Sequence, residues 1–282
     1  GELERRRVPL KVAEEAGLLV KKTGESTPSD YYDRFRARLM FPVENLSGQI
    51  VAFGGRIMGQ GEPKYLNSPE SPVYIKGRCL YGLSRSREEI RKQGFAILVE
   101  GYFDAISMWA AGIRNVAATL GTALTRDHMA LLRRFTSEIV LIFDPDDAGL
   151  KAVERSLKLF LAEKVSARIV ILPDKYDPDE YVRKSGKEAM LEQISRAQSL
   201  IDFFIDNHVV PGKRPEENIS SLRESLTFLE SIDDVLQRNL FIKRASERLG
   251  IDEQVFKSEA NKPERKQPGD VRKGKKGRQI DP

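Results

Sequence analysis

Carboxylates in this 282-residue chain recur at one kind of place, immediately after an apolar, strand-like run. Glu100 closes FAILVE and opens EGYFD, Asp144 and Asp146 follow EIVLIF in FDPDDAG, and Asp174, Asp177 and Asp179 follow ARIVIL in LPDKYDPD. Gathered in one place, such groups repel one another unless cations sit between them, and an all-oxygen set suits Mg²⁺ or Mn²⁺. Two such ions can hold an attacking hydroxyl and a leaving pyrophosphate in line, which is the chemistry of phosphoryl transfer. Taken alone, each Asp reads first as a turn former or helix cap. Chemistry enters only if the three strand ends converge.

The order of elements makes them converge. The strand-like FAILVE runs into helical DAISMWAAGI, VAATL into TRDHMALLRRF, and EIVLIFD into a helix with Leu150, Val153, Leu157, Phe160 and Leu161 on one face. The fourth run, ARIVILP, leads into DEYVRKSGKEAMLEQI. Four strand-helix units imply a parallel α/β sheet, whose loops at the carboxyl ends of the strands share one crevice. The second strand ends in Gly121 and Thr122, which leave room there rather than charge.

Residues 30–93 read as a small mixed α+β unit, with strands in MFPV and QIVAFGG separated by the turn formers Asn45, Ser47 and Gly48. After Ser195 the pattern is helical: SLIDFFIDNHVV, a PGKRP loop, ISSLRESLTFLESI, and DDVLQRNLFIKRASERLG with Gly250 as its C-terminal stop. The predicted organisation is a basic N-terminal subdomain over residues 1–93, the parallel-sheet domain over 94–192, a helical bundle over 193–260 and a disordered basic linker over 261–282.

Charge locates a second functional region. The chain holds 47 Lys/Arg and 42 Asp/Glu, of which eight and three fall in residues 261–282, so the net charge of +5 belongs to that segment and the rest is balanced. Nucleic-acid binding by the folded part must therefore use a local patch. Residues 34–78 supply one, with seven Lys/Arg against three acids, interleaved with Phe41, Tyr65 and Tyr74. Phe41 and Tyr74 read as core, Trp109 and Gly54-Gly55 as packing and turn residues, and His128 and His208 as ordinary helix residues. A lone Cys79 with two histidines builds no zinc site, and no run approaches the roughly 20 apolar residues of a membrane span, so a cytoplasmic setting is expected.

EGYFD followed by FDPDDAG resembles the glutamate and DxD signature of Toprim domains, found in primases, topoisomerases and some nucleases. The preceding YYDRFRARLMFPVENLSGQIVAFGGR and PKYLNSPESPVYIKGRCLYGL resemble the basic subdomain of bacterial DNA primases, and the likeness extends over roughly residues 8–260. It implies a Toprim-type parallel sheet with flanking helices, and synthesis of short RNA primers from ribonucleoside triphosphates on single-stranded DNA, giving an RNA-DNA hybrid at the replication fork. Glu100 becomes a metal ligand or general base and Asp144 and Asp146 the main metal ligands, with Asp177 and Asp179 completing the set and Asp104 supporting it. Arg56, Lys64 and Lys76, with Asn67 beside them, fall on positions that contact template or nucleotide.

The implied cofactor is Mg²⁺, with Mn²⁺ able to substitute; zinc is expected only in an N-terminal module outside this chain. The replicative helicase is expected to bind a C-terminal domain also outside it. Pro145 departs from the small residue common between the two aspartates and stiffens that loop. A Toprim nuclease is the competing enzyme reading, and a non-catalytic nucleotide-binding module the competing reading of another class.

Overall fold

The computed structural model of the protein describes residues 2–22, 30–142, 147–209, 225–226, 228–229, 232 and 234–260. Its centre is a five-stranded sheet in the order β10-β9-β8-β6-β7. The strands are β6 (Ala96–Val99), β7 (Val116–Ala118), β8 (Glu138–Ile142), β9 (Ser166–Val170) and β10 (Gln198–Ser199). β6 to β9 run parallel, as the four strand-helix units require. β10 pairs antiparallel with β9 through Gln198 opposite Ile169 and Ser199 opposite Arg168. Two residues carry no readable periodicity, so this edge strand was invisible in the sequence.

The parallel strands are unbroken apolar runs because both faces of the sheet are covered. Ala96 and Leu98 face one core with Ile139 and Leu141, while Ile97 and Val99 face the other with Val140 and Ile142. The first core is closed by α3 (Leu83–Gln93), α5 (Arg126–Leu132) and α6 (Asp147–Ala162), through residues such as Ile90, Met129 and Phe160. The C-terminal helices α8 (Leu200–His208), α9 (Val235–Leu249) and α10 (Glu253–Ala260) pack on the same side through Phe203, Phe204, Phe241 and Phe256. Gly250 caps α9 in the left-handed conformation, φ 65°. The PGKRP loop, most of ISSLRESLTFLESI, the side chains of Leu150 and Val153, and residues 261–282 lie outside the described residues.

The second core is closed by α4 (Tyr102–Ala110) and α7 (Pro178–Ser195), and beside them by a three-stranded antiparallel sheet. That sheet consists of β3 (Arg38–Glu44), β4 (Ile50–Ile57) and β5 (Tyr65–Asn67), with α1 (Glu2–Arg5), α2 (Leu10–Glu15) and the hairpin of β1 (Leu19–Lys21) and β2 (Tyr31–Asp33) preceding it. Its β3–β4 turn is made by Asn45, whose Oδ1 accepts from the amides of Ser47 and Gln49, with Gly48 at φ 79°. Phe41 stacks on Tyr102 at 5.0 Å and Tyr74 is buried, so both are core residues. Trp109 stacks on Tyr81 and donates its indole N–H to Ser86. Among the described residues no helix is long and apolar enough to cross a membrane.

The contact between the two sheets is close at Gly54. A Cβ there would lie 2.2 Å from the Tyr102 hydroxyl oxygen, whereas one at Gly59 would meet nothing within 4 Å. Gly54→Ala should therefore cost about 1–3 kcal/mol by overpacking and Gly59→Ala well under half of that, read as the shift in urea midpoint at constant m.

Candidate active site

Two helices begin where the acidic residues gather. Glu100 leaves β6 half-buried, its carbonyl accepting the Leu120 amide at 3.1 Å. α4 then starts at Gly101, and Asp104 in its first turn reaches back to accept the Gly101 amide through Oδ2 at 2.9 Å. The other oxygen of Asp104 accepts the Asp179 amide at 3.4 Å, which ties the start of α7 to the start of α4. Asp177 is the N-cap of α7, accepting from the Glu180 amide at 2.7 Å, with Pro178 at the first helical position. Asp179 accepts the Ser107 hydroxyl on one oxygen and pairs with Arg183 at 2.8 Å on the other. Both helices point positive ends at this cluster, which favours its carboxylates.

Asp174 stands apart on an exposed turn at φ 54°, a left-handed conformation that Asp tolerates better than most residues. Asp144 and Asp146 lie outside the described residues; β8 ends at Ile142 and α6 begins at Asp147. The pairing of β6 with β8, Leu98 opposite Leu141, sets the carboxyl ends of these two strands side by side. β7 lies on one side of β6 and β8 on the other, so their ends flank the point where strand order reverses, the usual crevice of such sheets.

The basic sheet reaches the first turn of α4 through Arg56. The Arg56 guanidinium lies over the Phe103 ring at 4.5 Å and near the Tyr65 ring at 5.7 Å, and the Lys64 ammonium lies 5.9 Å from the Tyr65 ring. Burial pushes the Tyr65 hydroxyl up from its ordinary value; Arg56 opposes that shift, and the negative charges of Asp104, Asp179 and Asp177 add to it.

Asn67 has a different place from Arg56 and Lys64. Its Nδ2 donates to the Leu120 carbonyl at 3.2 Å, its Oδ1 accepts the Tyr102 hydroxyl at 2.6 Å, and its own carbonyl accepts from Arg34. It is a bridge from β5 to the ends of β7 and α4. Lys76 sits on a 3₁₀ turn, Lys76–Arg78, packed against α5. Phe103, Tyr102 and Ser107 went unread in the sequence because their roles depend on partners 35 or more residues away, as with Tyr102 and Asn67. Arg183 was readable in principle, being four residues after Asp179 on a helix.

An acidic cluster at the carboxyl ends of a parallel α/β sheet, faced by a basic antiparallel sheet, defines a Toprim-like protein, and the Toprim-like family model matches residues 97–182. Residues 1–87 match the model of the DNA primase catalytic core, N-terminal domain. The chain belongs to the DNA primase family. It is 36% identical over 260 residues to the DNA primase of Halalkalibacterium halodurans, covering 91% of this chain and 43% of that protein, so it spans less than half of that relative's length.

A DNA primase domain from Pseudomonas aeruginosa superposes with a TM-score of 0.80 at 37% identity, covering 92% of this chain and 83% of that one. The DnaG primase catalytic domain bound to single-stranded DNA gives a TM-score of 0.78 at 33% identity, covering 90% and 81%.

Residues 201–254 match the model of the DnaB-helicase binding domain of primase. This corrects the expectation that such a domain lies wholly outside the chain.

The Toprim-like match implies use of a divalent metal, and the donor chemistry fits, since every candidate ligand offers oxygen. Among the described residues no three carboxylate, imidazole or thiol groups could hold a metal by themselves.

The Asn67 bridge is testable by coupling. Asn67→Ala and Tyr102→Phe should each cost about 1–3 kcal/mol, and the double mutant should lose less than their sum by about 0.5 kcal/mol or more. Urea titration of the four proteins measures it, and strict additivity would dissolve the bridge.

Proposed function

We propose that this chain makes short RNA primers on single-stranded DNA, joining ribonucleoside triphosphates by template-directed, divalent-metal-dependent nucleotidyl transfer during DNA replication. The observation that carries this reading is the seat of Arg56. Its guanidinium rests on Phe103, the neighbour of Asp104, on the helix that starts at the Glu100 end of β6. Fixed cations and fixed carboxylates therefore border one crevice, as an enzyme must arrange them to hold polyphosphate beside a metal-binding set.

In this reading Arg56, Lys64 and Lys76 take the phosphates of template and nucleotide, and Tyr65, 41% exposed, offers a ring on which a base can stack. Glu100, Asp144 and Asp146 hold the metal, with Asp177 and Asp179 completing the set. Each carboxylate has about four lone-pair sites, so the bonds to Glu180, Ser107 and Arg183 orient Asp177 and Asp179 without exhausting them. Glu100 is also the candidate base for the primer 3′-hydroxyl, whose oxygen attacks the α-phosphorus as pyrophosphate leaves. Asp104 is the supporting carboxylate: its oxygens accept the Gly101 and Asp179 amides and so hold the starts of α4 and α7.

A divalent cation, Mg²⁺ with Mn²⁺ able to substitute, supplies charge neutralisation at the reacting phosphate when bound. The helicase-binding match over residues 201–254 supports a replicative helicase as partner, and the DNA-bound primase domain supports a single-stranded template. The setting is the cytoplasmic replication fork, and the product leaves as an RNA-DNA hybrid.

Incubation of single-stranded DNA with labelled ribonucleotides and Mn²⁺ should yield short labelled RNA; shortening of a labelled DNA instead would identify a nuclease. Asp144→Asn and Asp146→Asn should each abolish synthesis with an unchanged circular dichroism spectrum, and normal synthesis by either would remove it from the site.

Lys64→Ala should raise KM for nucleotide or template, with a defect that shrinks as that substrate is raised, whereas the defect of Asp144→Asn should not shrink.

A further inference from the structure

The turn that carries Lys76 is held by the first turn of α5 at three consecutive residues. His128 places Nε2 3.0 Å from the Lys76 carbonyl, Thr125 donates its hydroxyl to the Gly77 carbonyl at 2.5 Å, and Asp127 pairs with Arg78 at 2.8 Å. A carbonyl only accepts, so His128 Nε2 carries the proton and donates it. Thr125 serves twice, since its oxygen also caps α5 by accepting the His128 amide at 3.1 Å. The fit is tight: a Cβ on Gly77 would lie 3.2 Å from Thr125 Cγ2.

A three-residue 3₁₀ turn has little stability of its own. This one has the amide bonds Arg78 to Ile75 and Cys79 to Lys76 and little else within it. His128 is fully buried, and burial holds its imidazole below the ordinary value against the opposing pull of its backbone hydrogen bonds. The anchors from α5 grip the backbone of residues 76 and 77 and the side chain of residue 78, and Glu70 accepts the Lys76 amide at 3.3 Å from the other side. The Lys76 ammonium itself makes no ion pair among the described residues. A buried polar ring spent on the backbone of one lysine, with the charge of that lysine left over, is the arrangement of a support behind a phosphate-binding group.

We propose that His128 is a positioning residue for Lys76, fixing through its Nε2–H the turn from which that lysine meets a phosphate of the nucleotide or the template. The inference rests on the reading of Lys76 as a substrate-binding residue. It adds that α5, the helix after β7, which carries none of the candidate metal ligands, sets where that charge stands.

The test is a kinetic cycle of His128→Leu and Lys76→Ala in the full chain, titrating ribonucleotide at saturating template and template at saturating ribonucleotide. The one cysteine of the chain, Cys79, is buried beside the turn and its thiol is pushed up to about 11, so its rate of labelling by a disulfide reagent reports loosening there. His128→Leu is expected to raise one KM by about three- to tenfold, leave kcat within about twofold, and label Cys79 several-fold faster. On the Lys76→Ala background the same change should leave KM where Lys76→Ala put it. The arm that moves, nucleotide or template, identifies the source of the phosphate.

Unchanged KM in His128→Leu, when Lys76→Ala raises it, overturns the proposal and leaves the reading of Lys76 intact. A fall in kcat alone, or additivity of the two changes in KM, overturns it as well. Unchanged KM in Lys76→Ala removes the reading of Lys76, and the proposal with it, even if Cys79 labels faster. Should His128→Leu fail to fold, His128→Gln, which keeps an N–H near the Nε2 position, must hold KM near the wild-type value while the shorter His128→Asn raises it. Equal KM in those two overturns the proposal.

Discussion

One amide side chain joins the two charged halves of this protein. Asn67 ends the last strand of the basic sheet, and its donor and acceptor are both spent on the parallel-sheet domain, at the Leu120 carbonyl and the Tyr102 hydroxyl. Neither partner could be exchanged cheaply, because a buried polar group that loses its hydrogen bond keeps the whole cost of its desolvation. The bridge fixes β5 against the start of α4, and Arg56, which pairs with Tyr65 on that strand, is thereby set over Phe103.

Leu120 carries this constraint further. Its amide donates to the Glu100 carbonyl while its own carbonyl accepts from Asn67, so a single residue connects the leading acid to the basic sheet. It does so at φ 63°, a conformation that costs a branched apolar residue about 1 kcal/mol or more. The same connection continues into α5, whose first turn holds the backbone of Lys76. The loop after β7 thus anchors Asn67, and the helix that follows it anchors the backbone of Lys76.

Asp104 plays the matching part on the acidic side. With one oxygen on the Gly101 amide and the other on the Asp179 amide, it locks together the starts of two helices whose positive ends stabilise the cluster. The acidic residues therefore differ in what they hold: Asp104 ties together the starts of α4 and α7, whereas Asp177 caps α7 and Asp179 is oriented by Ser107 and Arg183. Residue type alone does not separate those roles.

The sequence by itself determined the four parallel strand-helix units, because long apolar runs alternating with 3.6-residue periodicity leave few other solutions, and it placed Glu100, Asp144, Asp146 and the Asp177 to Asp179 pair just after strands for the same reason. It also marked residues 34–78 as basic, since charge density is local information. Only the tertiary structure decided what depends on distant pairs. The loop after β7, read as mere space at Gly121 and Thr122, became an anchor when Leu120 met Asn67, 53 residues away. His128, read as an ordinary helix residue, became the support of a turn 52 residues earlier. Asn67, read beside the basic positions Arg56, Lys64 and Lys76, is seen to bridge Leu120 and Tyr102. Hydrogen bonds of single polar atoms leave no periodic trace in the chain, so their pairing is fixed only when packing brings donor and acceptor within about 3 Å.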